Sequence, residues 1–155
     1  MNNVGGSDAP NGGYKALSDD DWQKALDVNL LASVRLDRAF LPGMIERKSG
    51  VILHISSIQH RLPLFDATLA YAAAKGALNT YNKGLANEVG PKGVRVNMIS
   101  PGFIETSGAH GMIVQISQSS GISEDAARQQ IMNMIGGFPL VDPASRRKSP
   151  NWWHS

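Results

Sequence analysis

"YAAAKGALNTYNKGLANEVGPKGVRVNMISPG", residues 71–102, reads as a helix and then a strand. A helix is expected from about Leu69 to about Glu88, stopped by "GPKG" at 90–93. "VRVNMIS" at 94–100 is apolar and β-branched, and "PG" stops it. Upstream, "VILHIS" at 51–56 is a second short apolar run, expected as a buried strand, with a loop following it as far as Thr68.

Further upstream, "LSDDDWQKALDVNLLASVRLDRAFLPGMIERKSG" opens with a helix-start signature. Ser18 is placed to cap, and Asp19, Asp20 and Asp21 suit the positive end of a helix dipole. Trp22, Leu26, Leu30, Val34 and Leu41 recur at helical spacing; Pro42 should kink or restart the helix and Gly50 end it. The first seventeen residues read as loop, with at most a strand stub at 1–4. A third helix is expected over "SEDAARQQIMNMI", capped by Ser123. Strands alternating with long helices predict βαβ units and a parallel sheet. Two strands are few for such a sheet.

A chain of 155 residues with 42% hydrophobic and 18% charged residues suits one domain with a real core. It has no cysteine, which excludes disulfides, thiolate catalysis and Cys-based metal sites. The net charge of +2 forms no basic stripe, so no nucleic-acid partner is expected. No apolar run is long enough to span a membrane, and "MNNVGGSDAP" lacks the apolar core of a signal peptide, so a cytoplasmic location is expected. His54, His60, His110 and His154 show no metal-ligand spacing; one should lie on a strand and three in loops or the tail.

Tyr71 and Lys75 stand at i and i+4, on one helix face. An ammonium near a phenol favours the phenolate, which makes tyrosine usable as an acid–base group at neutral pH. Three alanines between them leave room for a flat ligand. Ser57 follows the strand at 51–56, at the carboxyl edge where ligands of parallel sheets bind. The second strand ends at the same edge in "PGFIET", where Pro101 fixes direction and Gly102 allows close approach. Main-chain groups around Ile104 and the Thr106 hydroxyl are suited to bond a carboxamide. Alone, each has an ordinary explanation: an exposed i, i+4 pair, a cap, a turn.

Together with "NNVG" at 2–5, "DVNL" at 27–30, "ISS" at 55–57 and "VRVN" at 94–97, these motifs resemble the short-chain dehydrogenase/reductases of single-domain Rossmann type, over roughly residues 1–140. The resemblance implies NAD(P)-dependent hydride transfer to or from a carbonyl or alcohol substrate. Tyr71 would then be the proton donor or acceptor, and Lys75 would bind the nicotinamide ribose and lower the tyrosine pKa. Ser57 would orient the substrate carbonyl, and Asn29 would hold a relay water. Asn2 and Gly5 would lie beside the cofactor, with Pro101, Gly102, Ile104 and Thr106 at its carboxamide end. The family usually has Ala where Val4 stands, and the Ser57–Tyr71 gap is one residue longer than its commonest spacing. Residues 107–137 resemble the variable substrate lid, whose Met and Ile residues suggest an apolar or mixed pocket. The two long helices, about 18–40 and 69–88, usually pair across a dimer axis.

Against that family pattern, G-x-G-x-x-G is absent, and with it the phosphate site and the selector of NAD or NADP. The expectation is a partial doubly wound Rossmann-like sheet without its N-terminal strands and its last strand. "VDPASRRKSPNWWHS" at 141–155 departs from the family's acidic helix. Back-translated with GC-rich codons and shifted by two bases, it can read Arg-Ser-Gly-Glu-Pro-Glu-Glu-Val-Ala-Glu-Leu-Val-Ala-Phe, so an out-of-frame, unstructured tail is expected. The alternative to an enzyme is an inactive fragment or an interaction module of the same family.

Overall fold

The computed structural model describes residues 1, 3–102 and 107–134, which divide into two units at residues 105 and 106. In the first unit a helical run holds α1 (Asp19–Leu26), a π-helical segment (Asp27–Leu31) and α2 (Ala32–Glu46). Strand β1 (Gly50–Ile55), helix α3 (Leu69–Val89) and strand β2 (Val94–Ile99) follow. β1 and β2 pair in parallel, from Gly50 opposite Val94 to Ile55 opposite Ile99, so β1–α3–β2 is a βαβ unit. This is the expected α/β architecture, with two strands in the sheet among the described residues.

α1 begins as its sequence predicts. Ser18 Oγ accepts from the Asp21 amide and the Asp21 carboxylate accepts from the Ser18 amide, a closed capping box contributing about 1 kcal/mol. The helix does not end at Gly50. Lys48 takes a left-handed φ of 52°, with Lys48 N–H bonded to Ile45 O and Ser49 N–H to Met44 O. That is a Schellman stop with lysine where glycine is usual. Pro42 is accommodated inside α2, which continues through it to Glu46.

One face of the sheet is covered. Ile52, Val94 and Val96 pack with Leu85 and Val89 of α3, and with Leu41, Met44 and Ile45 of α2. Full burial of each such side chain stabilises by roughly 1.5–3 kcal/mol. The alternate residues face the other way: Val51 is 50% exposed and Ile99 48%, with Arg95 and Asn97 also exposed. A strand's period of two makes this one-sidedness unavoidable when helices lie on one face only.

Residues 1, 3 and 4 form no strand, so the stub does not exist among the described residues. His60 lies in a 3-10 turn at Ile58–His60 instead of an open loop. The second unit packs α4 (Ser107–Ser120) against α5 (Glu124–Met134), with Ser123 Oγ accepting from Ala126 N–H at the start of α5. α5 was expected. α4 was not, and it places His110 in a helix instead of a loop; its run of Gly, Ser and His hides the helical pattern. Ile113, Ala127, Ile131 and Met132 are buried. Residues 135–155, with the proposed out-of-frame tail and His154, lie outside the described residues.

Gly93 closes the turn before β2 at φ 83°, where a Cβ would overlap the Lys48 carbonyl. Gly93→Ala should cost roughly 2 kcal/mol or more, whereas Lys48→Gly should stabilise by up to about 1 kcal/mol. Urea denaturation of the two variants should therefore shift in opposite directions.

Candidate active site

Lys75 is the most constrained polar group of the site. It is only 3% exposed on α3, and its Nζ donates to the Ile55 carbonyl at 2.9 Å, at the last residue of β1. Burial pushes its pKa below the usual lysine value. The ammonium has three donors and Ile55 takes one, so donors remain for a diol or carbonyl. One turn earlier, half-buried Tyr71 places its ring centroid 5.6 Å from Nζ, within cation–π range. The i, i+4 reading of these two residues therefore holds in space.

Asn29 reaches the same place from the helical run. It is fully buried inside the π-helical segment, where the Ala32 amide bonds to Asp27 O, five residues back. Such bulges turn one residue out of the α-helical repeat and concentrate at functional sites. Asn29 Nδ2 donates to Gly6 O at 2.9 Å and Ala25 O at 3.0 Å, while Oδ1 accepts from Gly6 N–H at 3.0 Å. The side chain thus clasps the N-terminal loop. Gly5 completes the group: a Cβ there would lie 2.7 Å from Asn29 Oδ1 and 2.8 Å from Lys75 Nζ. Gly5, Asn29, Lys75 and Tyr71 are brought together, from three separate segments.

Ser57 and its neighbour Ser56 divide their roles. Ser56 is buried, bonds its amide to Ile99 O at 2.8 Å and directs Oγ to Lys75 O at 3.4 Å. Ser57 is half-buried at the carboxyl edge of β1, where its Oγ accepts from Gln59 N–H at 3.2 Å and caps the 3-10 turn. Its hydroxyl proton has no use in that bond. Ile58 N–H bonds Pro101 O at 2.9 Å, so the two strand ends stay side by side. Gly102 is exposed, with open space where a Cβ would stand. Asn2, Ile104 and Thr106 lie outside the described residues. A cleft of about 320 Å³ opens between Gly5–Ala9 and Asp21, Lys24, Ala25 and Val28; neither Tyr71 nor Ser57 lines it.

A family model described as short chain dehydrogenase matches residues 1–114. The chain belongs to this family. It is 37% identical over 90 residues to the 3-oxoacyl-(acyl-carrier-protein) reductase FabG of Vibrio harveyi, covering 58% of this chain and 36% of that protein. It is 36% identical over 132 residues to the oxidoreductase UcpA of Escherichia coli, covering 85% of this chain and 49% of that one. Among solved structures, L-sorbose reductase from Gluconobacter frateurii, complexed with NADPH and L-sorbose, superposes with a TM-score of 0.74 at 32% identity. That match covers 85% of this chain and 49% of the reductase. The chain thus spans half or less of the length of these relatives. Among the described residues no three His, Cys, Asp or Glu side chains gather to hold a metal, and no helix is long and apolar enough to cross a membrane.

Two features escaped the sequence reading. The Ile55 carbonyl is invisible because any residue supplies one. The π segment leaves no signature in "DVNLL" beyond a buried Asn on an otherwise apolar helix face. Gly5→Ala should destabilise the chain by about 1–3 kcal/mol, because Asn29 and Lys75 are both held by other bonds. Gly6→Ala, with nothing within 4 Å of its Cβ, should stay within about 0.5 kcal/mol of the parent in the same denaturation assay.

Proposed function

We propose that this chain carries the proton-transfer half of an NAD(P)-dependent oxidoreductase acting on a carbonyl or alcohol. The observation that carries this reading is the grouping of Gly5, Asn29 and Lys75 around one point, with the Tyr71 ring one helical turn away. A nicotinamide ribose suits what is present: Gly5 leaves the space that Lys75 Nζ occupies, and Lys75 offers ammonium donors not used by Ile55. When bound, the cofactor would supply the hydride chemistry.

The chain's own residues handle the proton. Tyr71 gives its phenolic proton to a developing alkoxide in reduction and takes it back in oxidation. Lys75, kept in place by the Ile55 carbonyl, holds positive charge beside that ring. Ser57 donates its free hydroxyl proton to the substrate oxygen while Gln59 N–H holds Oγ in position. Asn29, through its bonds to Gly6 and Ala25, keeps the N-terminal loop against the site, and its second Oδ1 lone pair is the one left for a relay water. Asn2, Pro101, Gly102, Ile104 and Thr106 complete the cofactor side of the proposal. The sequence has no G-x-G-x-x-G, and the cofactor of this reading is NAD or NADP. A cytoplasmic location accompanies this reading.

A second reading is an interaction module. Phe40, 61% exposed, and Val28 stand out from the first helical run, one of the two helices expected to pair in an oligomer. Light scattering on the purified chain tests it: a monomer removes this reading.

The enzyme reading is tested by titrating NADH and NADPH against the chain and following nicotinamide fluorescence. Binding at or below millimolar concentration is expected, and none at that level refutes it. Tyr71→Phe should leave binding and fold unchanged and lower turnover on a carbonyl substrate by about 10²-fold or more.

A further inference from the structure

A second buried charged cluster lies behind the site, and the proposed proton transfer does not use it. His54 of β1 is 0% exposed. Its Nδ1 lies 2.8 Å from Asn82 Oδ1 on α3, and its Nε2 lies 2.9 Å from Asp37 Oδ2 on α2. The Tyr81 hydroxyl donates to that same Asp37 oxygen at 3.0 Å, and its ring packs 5.9 Å from the imidazole. Three elements meet at one carboxylate.

Both ring nitrogens face oxygen atoms. A neutral imidazole donates from one nitrogen only, which would leave the other lone pair against an acceptor. An imidazolium donates from both. Turning the Asn82 amide over would also satisfy a neutral ring, so the two arrangements differ in a measurable proton. The second donor to Asp37, from Tyr81, favours the charged pair, since a buried ion pair holds only when its remaining lone pairs are bonded.

We propose that Asp37, His54 and Tyr81 form a charge-locked brace, with His54 held as imidazolium, that ties β1 to α2 and α3 and positions the Ile55 carbonyl beneath Lys75. His54 is therefore a positioning residue: Ile55 is the next residue on the strand, and Ser57 follows two positions later. The consequence for proton transfer rests on the oxidoreductase reading; the charge state and the positioning do not.

The groups facing His54 set the sign of its pH dependence. Asp37 faces it from α2, Tyr81 and Asn82 from α3, and uncharged Met98 stands opposite it on β2. The Met1 amino group opposes the charge weakly, and Glu88 acts on Tyr81. Burial pulls the His54 pKa down, but the bonds to Asp37 and Asn82 and the Asp37 charge outweigh it and leave the pKa raised. Burial, with the Asp37 charge, pushes the Tyr81 hydroxyl up, so it remains a donor. A raised folded pKa contributes stability that is complete below the unfolded value of about 6.5 and is lost as pH rises through the folded value. In Asp37→Asn the burial remains without the countercharge, so the folded pKa falls and stability is lost on acidification instead.

The test uses the full chain with ¹⁵N-labelled histidine, the four ring signals being assigned through His60→Gln, His110→Gln and His154→Gln. At pH 6.5 both His54 nitrogens should carry protons; a single protonated nitrogen overturns the proposal. The thermal midpoint should fall for the parent as pH rises from about 6.5 to 8, and should fall for Asp37→Asn as pH drops below about 6.5; a parent without the fall above 6.5, or a variant without the loss below it, also overturns it. If Asp37→Asn does not fold, the parent spectrum decides the charge state alone. Acylation of Lys75, followed by mass spectrometry, should be several-fold faster in the parent above the His54 transition than below it, after correction by a lysine model amine. A corrected rate that does not change removes the positioning role. None of these readouts uses cofactor, so they stand or fall apart from the nicotinamide titration.

Discussion

An ammonium group taken out of water must find acceptors, and Lys75 finds its acceptor in the Ile55 carbonyl. The rest of the site is arranged around that bond. It can form because Ser56 N–H takes the ladder bond to Ile99 O, which leaves the Ile55 carbonyl on the side of β1 away from β2. It also needs α3 to lie over the strand end, which Leu85 and Val89 secure by packing on Ile52, Val94 and Val96. Gly5 then matters because any side chain there would occupy the space of Lys75 Nζ and Asn29 Oδ1. The Lys75–Ile55 hydrogen bond links the sheet and the long helix, and the Asn29–Gly6 bonds add the N-terminal loop.

The bare face of the sheet follows from the same economy. α2 and α3 both lie on the face of Ile52 and His54, and Val51, Arg95, Asn97 and Ile99 are left toward solvent. A doubly wound sheet is covered on both faces, and its strands read as continuous apolar runs for that reason. β1 still reads that way, "GVILHI", whereas β2 alternates apolar and polar residues over most of its length, "VRVNMI". The chain spans half or less of its relatives' length, so a full-length relative has further elements with which to cover such a face.

The sequence made the site legible where chemistry depends on side-chain type and spacing. Tyr71 and Lys75 could be placed because a four-residue separation fixes one helix face. Ser57 could be placed because strand ends in parallel sheets gather ligands. What remained hidden depends on the backbone or on distant partners. The Ile55 carbonyl has no residue signature, and the π segment at Asp27–Leu31 shifts Asn29 by geometry that "DVNLL" does not announce. Lys48 in a glycine-like conformation stops α2 at Glu46, four residues before the Gly50 that composition favours, because the turn must bring Ser49 N–H to Met44 O. Helix α4 was missed because Gly108, Gly111 and four serines outweigh its few apolar residues in any local count.

β1 therefore carries a buried cation on either side of one peptide unit: Lys75 against the carbonyl of Ile55, and the His54 ring one residue earlier. Their surroundings differ in a way that matches different tasks. Asp37 stands against His54, and among the described residues no carboxylate lies within ion-pair distance of Lys75. A carboxylate beside Lys75 would cancel the positive charge that the Tyr71 ring faces. A neutral carbonyl holds the ammonium in place and leaves its charge in force. At His54 the demand is reversed, since a fixed brace gains from a closed pair and loses from a free charge. Placing the anion on α2, with Tyr81 of α3 as a further donor to it, lets one carboxylate fasten three elements while Lys75 meets no countercharge among the described residues.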